Sequence, residues 1–257
     1  MRPTLPDAFL RIPIAHRALH DVDDGRPENS RAAIRAAMTA GYGIEIDLQL
    51  SADGHAMVFH DYELDRLAEA TGLINTRSRA EAQAIPLKGG DGEGMPDLPE
   101  VLELVAGQVP LLIELKDQDG LMGNNIGPLE QATVDALDGY DGPVALMSFN
   151  PHSTAKLAQL APEIPRGIVT SAYDFAEWPE LTPEICDRLR DIPDFEPSQA
   201  CFISHESYDL DRPRVQQIRD NGVPVLCWTI TSDDEEAAAR AFADNVTFEK
   251  YLSKLPG

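Results

Sequence analysis

The sequence predicts an α/β chain folded as an eight-stranded parallel barrel of the TIM type. Three observations predict it. Short apolar runs alternate with helical patterns along most of the chain. Eight such runs remain once a hairpin is set aside. The 257 residues match the roughly 250 that eight strand–helix units occupy. A doubly wound open sheet would share the alternation, but no glycine-rich dinucleotide loop follows the first run.

The strand-like runs are "RIPIA", "YGIEIDL", "PLLIEL", "PVALMSF", "RGIVT", "ACFIS", "PVLCWTI" and, more weakly, "NVTF". The helices between them carry their own start signals. "PENSRAAIRAAMTAG" offers Asn29 or Ser30 as cap and Gly41 as stop. "DLPEVLELVAG" offers Asp97 with Glu100 three residues on. "NPHSTAKLAQL" places Asn150 before Pro151. "LTPEICDRLRD", "DRPRVQQIRDNG" and "TSDDEEAAARAFAD" repeat the pattern.

Two stretches break the alternation. Only "SADG" separates Leu50 from "HAMVFH", too little for a parallel crossover, so a hairpin is expected with Asp53-Gly54 as its turn. Pairing Leu50 with His55 would set Glu45 opposite His60. From Tyr62 to about Met95 no clear strand is legible, and this insertion reads as a cap over one end of a single barrel domain spanning residues 1–257.

Charge narrows the partners. There are 44 Asp and Glu against 21 Lys and Arg, a net −23, which repels nucleic-acid backbones and anionic lipid surfaces. Neither nucleic acid nor stable membrane association is expected. No apolar stretch approaches the ~18 residues that would span a bilayer. The N-terminus shows no leader pattern, so a cytoplasmic protein is expected. Cys186, Cys201 and Cys227 form neither a metal spacing nor a disulfide framework. Oligomeric state is not legible.

The chemistry is expected at the C-terminal ends of the strands, where barrel active sites sit. There the chain places His16 and Arg17, then Glu45 and Asp47, then His60 and Asp61 from the hairpin, then Glu114 and Lys116. Three carboxylates in apolar strands repel one another, and each is costly to bury alone. One hard divalent cation, Mg²⁺ or Ca²⁺, relieves both costs. Arg17 and Lys116 add fixed positive charge, as a phosphodiester needs. His16 and His60 can donate and accept protons near neutral pH. His20, His55, His152, His205 and Lys88 read as structural.

The segments "AHR", "PENS", "IEIDLQLSADGHAMVFHD", "LLIELK", "SF" and "WTI" resemble, in order and spacing, the glycerophosphodiester phosphodiesterase family. The resemblance implies a barrel that hydrolyses glycerophosphodiesters to glycerol 3-phosphate and an alcohol with a divalent metal. It implies His16 and His60 as the acid–base pair, and Glu45, Asp47 and Glu114 as metal ligands. Arg17 and Lys116 would hold the phosphate, and Trp228 would line the site. The chain departs from the pattern at Ala18, where the family has Gly, at Ser30 in "PENS", in the acidic loop "LHDVDDGR", and at "TFE" over Thr247 to Glu249. Two further readings are a lysophospholipase D-like activity on lysophospholipids and a non-catalytic barrel that binds a phosphate ester.

Overall fold

The computed structural model describes residues 2–256. Strands β1 (Ile14–Ala15), β2 (Gly43–Leu50), β3 (Ala56–Val58), β4 (Leu111–Leu115), β5 (Val144–Ser148), β6 (Arg166–Thr170), β7 (Phe202–Glu206), β8 (Val225–Ile230) and β9 (Asn245–Phe248) form one sheet. All pairings are parallel except β2–β3, and β1 pairs with both β2 and β9. The sheet is therefore a closed eight-stranded barrel with β3 as an added edge. The short β1 pairs with the start of β2, at Gly43 and Ile44. The antiparallel β3 pairs with the end of β2, from Leu48 to Leu50.

Side-chain alternation divides each strand between two cores. Ile44, Ile46 and Leu48 of β2 and Leu111, Ile113 and Leu115 of β4 pack outward in the large core under the helices. Leu112, Ala145, Met147, Val169, Phe202 and Leu226 form a second cluster inside the barrel. Phe9, fully buried in helix α1 (Ala8–Arg11), joins this inner cluster.

Helix α2 (Arg31–Ala40) starts on Ser30, whose hydroxyl accepts from the Ala33 amide, and stops at Gly41 in the left-handed region. Helix α3 (Arg79–Ala84) lies in the 62–95 segment. Helices α4 (Leu98–Val105), α5 (Pro128–Leu137), α6 (Pro151–Leu160), α7 (Pro183–Arg190), α8 (Pro213–Asp220) and α9 (Asp233–Ala239) fill the connections. The caps expected at Asp97 and Asn150 mark true starts, and Thr182 and Ser232 cap α7 and α9, whereas α8 starts after Arg212 with no side-chain cap. Helix α5 carried no such signal, because its N-cap is Gly127 and Glu130 reaches back to that amide.

The hairpin register differs by one residue from the expected one. Ser51 N–H donates to His55 O, and Leu50 pairs with Ala56. The loop is thus Ala52-Asp53-Gly54, and Gly54 supplies the φ of +84° that a three-residue hairpin needs at its last position. Glu45 therefore does not face His60 across the ladder. Pairing ends at Phe59, whose amide donates to Asp47 O, and the chain then turns away. Gln49 holds that departure with a 3.0 Å hydrogen bond to His60 O.

The 62–95 segment has an apolar centre of its own. Leu64, Ala68, Ile74, Ala82, Leu87 and Met95 cluster with Met57 and Phe59 of the hairpin.

Candidate active site

Register alone gathers the carboxylates. Asp47 of β2 lies directly opposite Glu114 of β4, so the two side chains share the inner face. Glu45 lies two residues earlier on the same face. One carboxylate oxygen from each lies within 4.8 Å of the others. Glu45 and Asp47 are 1% exposed and Glu114 is 6% exposed, so bulk water cannot screen their repulsion.

Each acid is held differently. Glu45 accepts the Arg17 backbone N–H at 2.8 Å. Burial, and then Asp47 and Glu114, hold its pKa well above the carboxylate range. Asp47 accepts from Asn29 Nδ2 at 2.9 Å, while its own amide donates to Asn29 Oδ1 at 3.2 Å. Burial opposes ionisation of Asp47, but Lys116, His60 and Arg17 together hold it far below the usual range. The Lys116 ammonium lies 2.6 Å from Glu114 and 2.7 Å from Asp47. One ammonium thus serves two buried carboxylates, and among the described residues Glu45 has no cationic side chain bound to it. Three buried carboxylates with one oxygen each within 4.8 Å of the others, against a single ammonium, fit a hard divalent cation.

The histidines flank this cluster. His16 follows β1, and its Nδ1 lies 2.8 Å from Glu249. Nδ1 of His60 lies 2.6 Å from Asp61. A carboxylate on Nδ1 fixes each ring and leaves Nε2 for a substrate. Burial pushes the His16 pKa down, against the hydrogen bond that the ring donates to Glu249. Arg17 pairs with Glu28 at 2.8 Å, and Arg66 bridges Glu28 to Asp61.

All eight residues expected from the sequence are brought to this barrel end. His16, Arg17, Glu45, His60, Glu114, Lys116 and Trp228 line a pocket of about 110 Å³. Asp47 lies beneath it, bonded to Lys116. Trp228 lines the pocket and is held by its indole N–H, which donates to Ser204 O at 3.1 Å.

Four residues were not expected in working positions. Glu249 stands just past β9, as His16 stands just past β1, and that location was the available signal. His20, read as structural, lies 3.5 Å from the same carboxylate. Glu28 and Asn29 of "PENS" hold Arg17 and Asp47, roles that no spacing rule reveals. The departure at Ala18 carries a backbone consequence. It adopts φ +64° while buried, a left-handed conformation natural to the Gly of the family pattern.

Residues 16–248 match the sequence profile of the glycerophosphoryl diester phosphodiesterase family. The chain belongs to that family. It is an enzyme of the glycerophosphodiester phosphodiesterase class. A glycerophosphodiester phosphodiesterase from Caldanaerobacter subterraneus is 27% identical over 86% of this chain and 87% of its own length. One from Bacillus subtilis is 25% identical over 89% of this chain and 78% of its own. Among solved structures, a phosphodiesterase from Oleispira antarctica in complex with the product sn-glycerol-3-phosphate is 28% identical. It superposes with a TM-score of 0.76 over 93% of this chain and 94% of the other. Among the described residues no helix of this family member is long and apolar enough to cross a membrane.

Proposed function

We propose that this enzyme hydrolyses glycerophosphodiesters to glycerol 3-phosphate and a free alcohol, with Glu45, Asp47 and Glu114 holding one divalent cation and His16 and His60 transferring the protons. The observation that carries the reading is the meeting of both histidines in one small pocket lined by Glu45 and Glu114. When bound, a divalent cation balances the carboxylate charge and polarises a phosphoryl oxygen.

The chain's own residues supply the rest. Arg17 and Lys116 line the pocket beside the carboxylates, placed to hold phosphate oxygens. One imidazole takes a proton from the attacking oxygen, and the other delivers one to the departing alkoxide as the phosphorus–alcohol bond breaks. Water is consumed overall, and the two rings exchange protonation states. Glu249 and Asp61 orient the two rings through their Nδ1 atoms. Trp228 walls the pocket. We also read the chain as one barrel domain, with residues 62–95 as an insertion that caps the site.

Incubation with glycerophosphocholine tests the reading. Release of glycerol 3-phosphate should stop after exhaustive chelation and return with Mg²⁺ or Ca²⁺. Full turnover in metal-free protein would remove the cation from the mechanism, and no turnover with any added divalent metal would remove the hydrolysis.

A further inference from the structure

A second cavity, of about 490 Å³, adjoins the catalytic pocket. The two share His60, Glu114, Lys116 and Phe149. A phosphodiester has two ester arms. One bound in the 110 Å³ pocket can seat only a small arm there, so the other must point into the larger space.

The walls of that space are of two kinds. Tyr62, Phe149 and Trp178 are aromatic. Phe149 packs on Trp178 with ring centroids 5.1 Å apart and on Trp228 at 5.4 Å, so aromatic surface runs unbroken from one pocket to the other. Tyr173 backs Trp178 at 5.1 Å. Tyr62 is anchored by a 2.7 Å hydrogen bond from its hydroxyl to Asp117 O.

The remaining lining is mainly acidic, with Asp61, Glu63, Glu114 and Asp117. Lys116 is bound by Asp47 and Glu114, and Asp61 by His60 and Arg66. Asp117 is buried and accepts from Asn150 Nδ2 and the Met122 amide, whereas Glu63 is exposed and among the described residues has no cationic partner, so the free negative charge of the cavity rests on Glu63.

We infer that this cavity selects a cationic alcohol, best a quaternary ammonium of the choline type, over neutral polyols and anionic alcohols. The inference rests on the phosphodiesterase reading above. A quaternary ammonium has no N–H groups to satisfy, so aromatic walls cost it little, and it gains from the ring faces and from the carboxylates. A polyol would set hydroxyls against rings that cannot pair with them. An anionic alcohol would face the exposed Glu63 directly. Of the 62–95 segment, Tyr62 and Glu63 reach the lining. The loops after β4 and β6 supply Asp117, Met122 and Trp178. With Phe149 after β5, headgroup choice is thus spread over four loops.

Binding separates charge from size. Phosphocholine and its neutral isostere, 3,3-dimethylbutyl phosphate, differ only in nitrogen against carbon. Calorimetric titration of each into the protein with Mg²⁺ or Ca²⁺ should favour phosphocholine by about 3- to 30-fold, the span of a cation–π contact. Trp178→Leu should bring the ratio close to one. Glu63→Gln, at an exposed position, should lower it with less risk to the fold. Equal affinities in the parent protein would overturn the inference, as would a ratio that neither variant moves. These are binding constants, so absent turnover would sink the hydrolysis reading while the headgroup preference stood or fell on the titration.

Discussion

Glu249 accepts a hydrogen bond at 2.8 Å from Nδ1 of His16, joining the residue after the last strand to the residue after the first. Burial pushes the His16 imidazole below its ordinary pKa, and Glu249 works against that fall. Without the carboxylate the pKa should drop further, because the protonated ring loses its negatively charged partner. Glu249→Gln is therefore expected to move the His16 limb of the kcat/KM–pH profile to lower pH. It should also cost on the order of 10²-fold in turnover, the lower end for a general acid or base. A limb that stays in place would show that Glu249 does not govern His16.

The histidine pair predicts an asymmetric rescue. His16→Ala and His60→Ala should each lower turnover of glycerophosphocholine by on the order of 10²–10⁴-fold. Their combined loss should fall short of the product, because groups acting together are not additive. A nitrophenyl diester needs little help at its leaving group, so it should rescue only the variant lacking the acid. Near-normal turnover by either single variant would make that histidine structural.

Asn29 grips Asp47 at both ends, by side chain and by backbone. Its backbone sits at φ +59°, a conformation Asn tolerates better than most residues. Asn29→Ala should leave Asp47 free to rotate and weaken divalent-cation affinity by roughly 10- to 100-fold, as loss of an outer-shell partner does. Titration of activity against metal concentration checks this, and an unchanged half-saturation point would count against it.

Lys116 is the ammonium nearest both Asp47 and Glu114. Lys116→Met should leave those acids facing each other, costing about 3 kcal/mol or more, as breaking a buried pair does. The loss should be largest in chelator and smaller with a divalent cation present. Thermal melts under the two conditions make the comparison. A melting point indifferent to the cation would mean that the three acids do not bind one.

The legibility of this protein followed distance along the chain. Asp47 and Glu114 were readable because alternation within two apolar strands fixes which way each points, whatever lies between them. Ser30, Asp97 and Asn150 were readable because a cap acts within three residues. The hairpin register was not, because "SADG" supports a loop of four residues or of three, and only the backbone of Gly54 decides. His16–Glu249 and Arg66–Glu28 were invisible for another reason. They are pairs 233 and 38 residues apart, created by closure of the barrel and by the path of an irregular insertion. Neither contact follows from a local pattern.

The barrel closes through the two-residue strand Ile14–Ala15, which meets Gly43 and Ile44 on one side and Thr247 and Phe248 on the other, with only single backbone bonds such as His16 N–H to Phe248 O and Ala18 N–H to Glu45 O beyond it. Closing that seam unites the two ends of the chain, the most distant and entropically costly contact the fold makes. A junction so narrow should open at lower cost than the five-residue ladder between β2 and β4. His16 and Glu249 stand immediately beyond its two edges. The first excursion from the native state would therefore part them while the remaining strands stay paired. Hydrolysis should fade on mild heating or in dilute denaturant before circular dichroism registers a loss, and amide exchange should run faster at Ile14–His16 than at Ile46–Leu48.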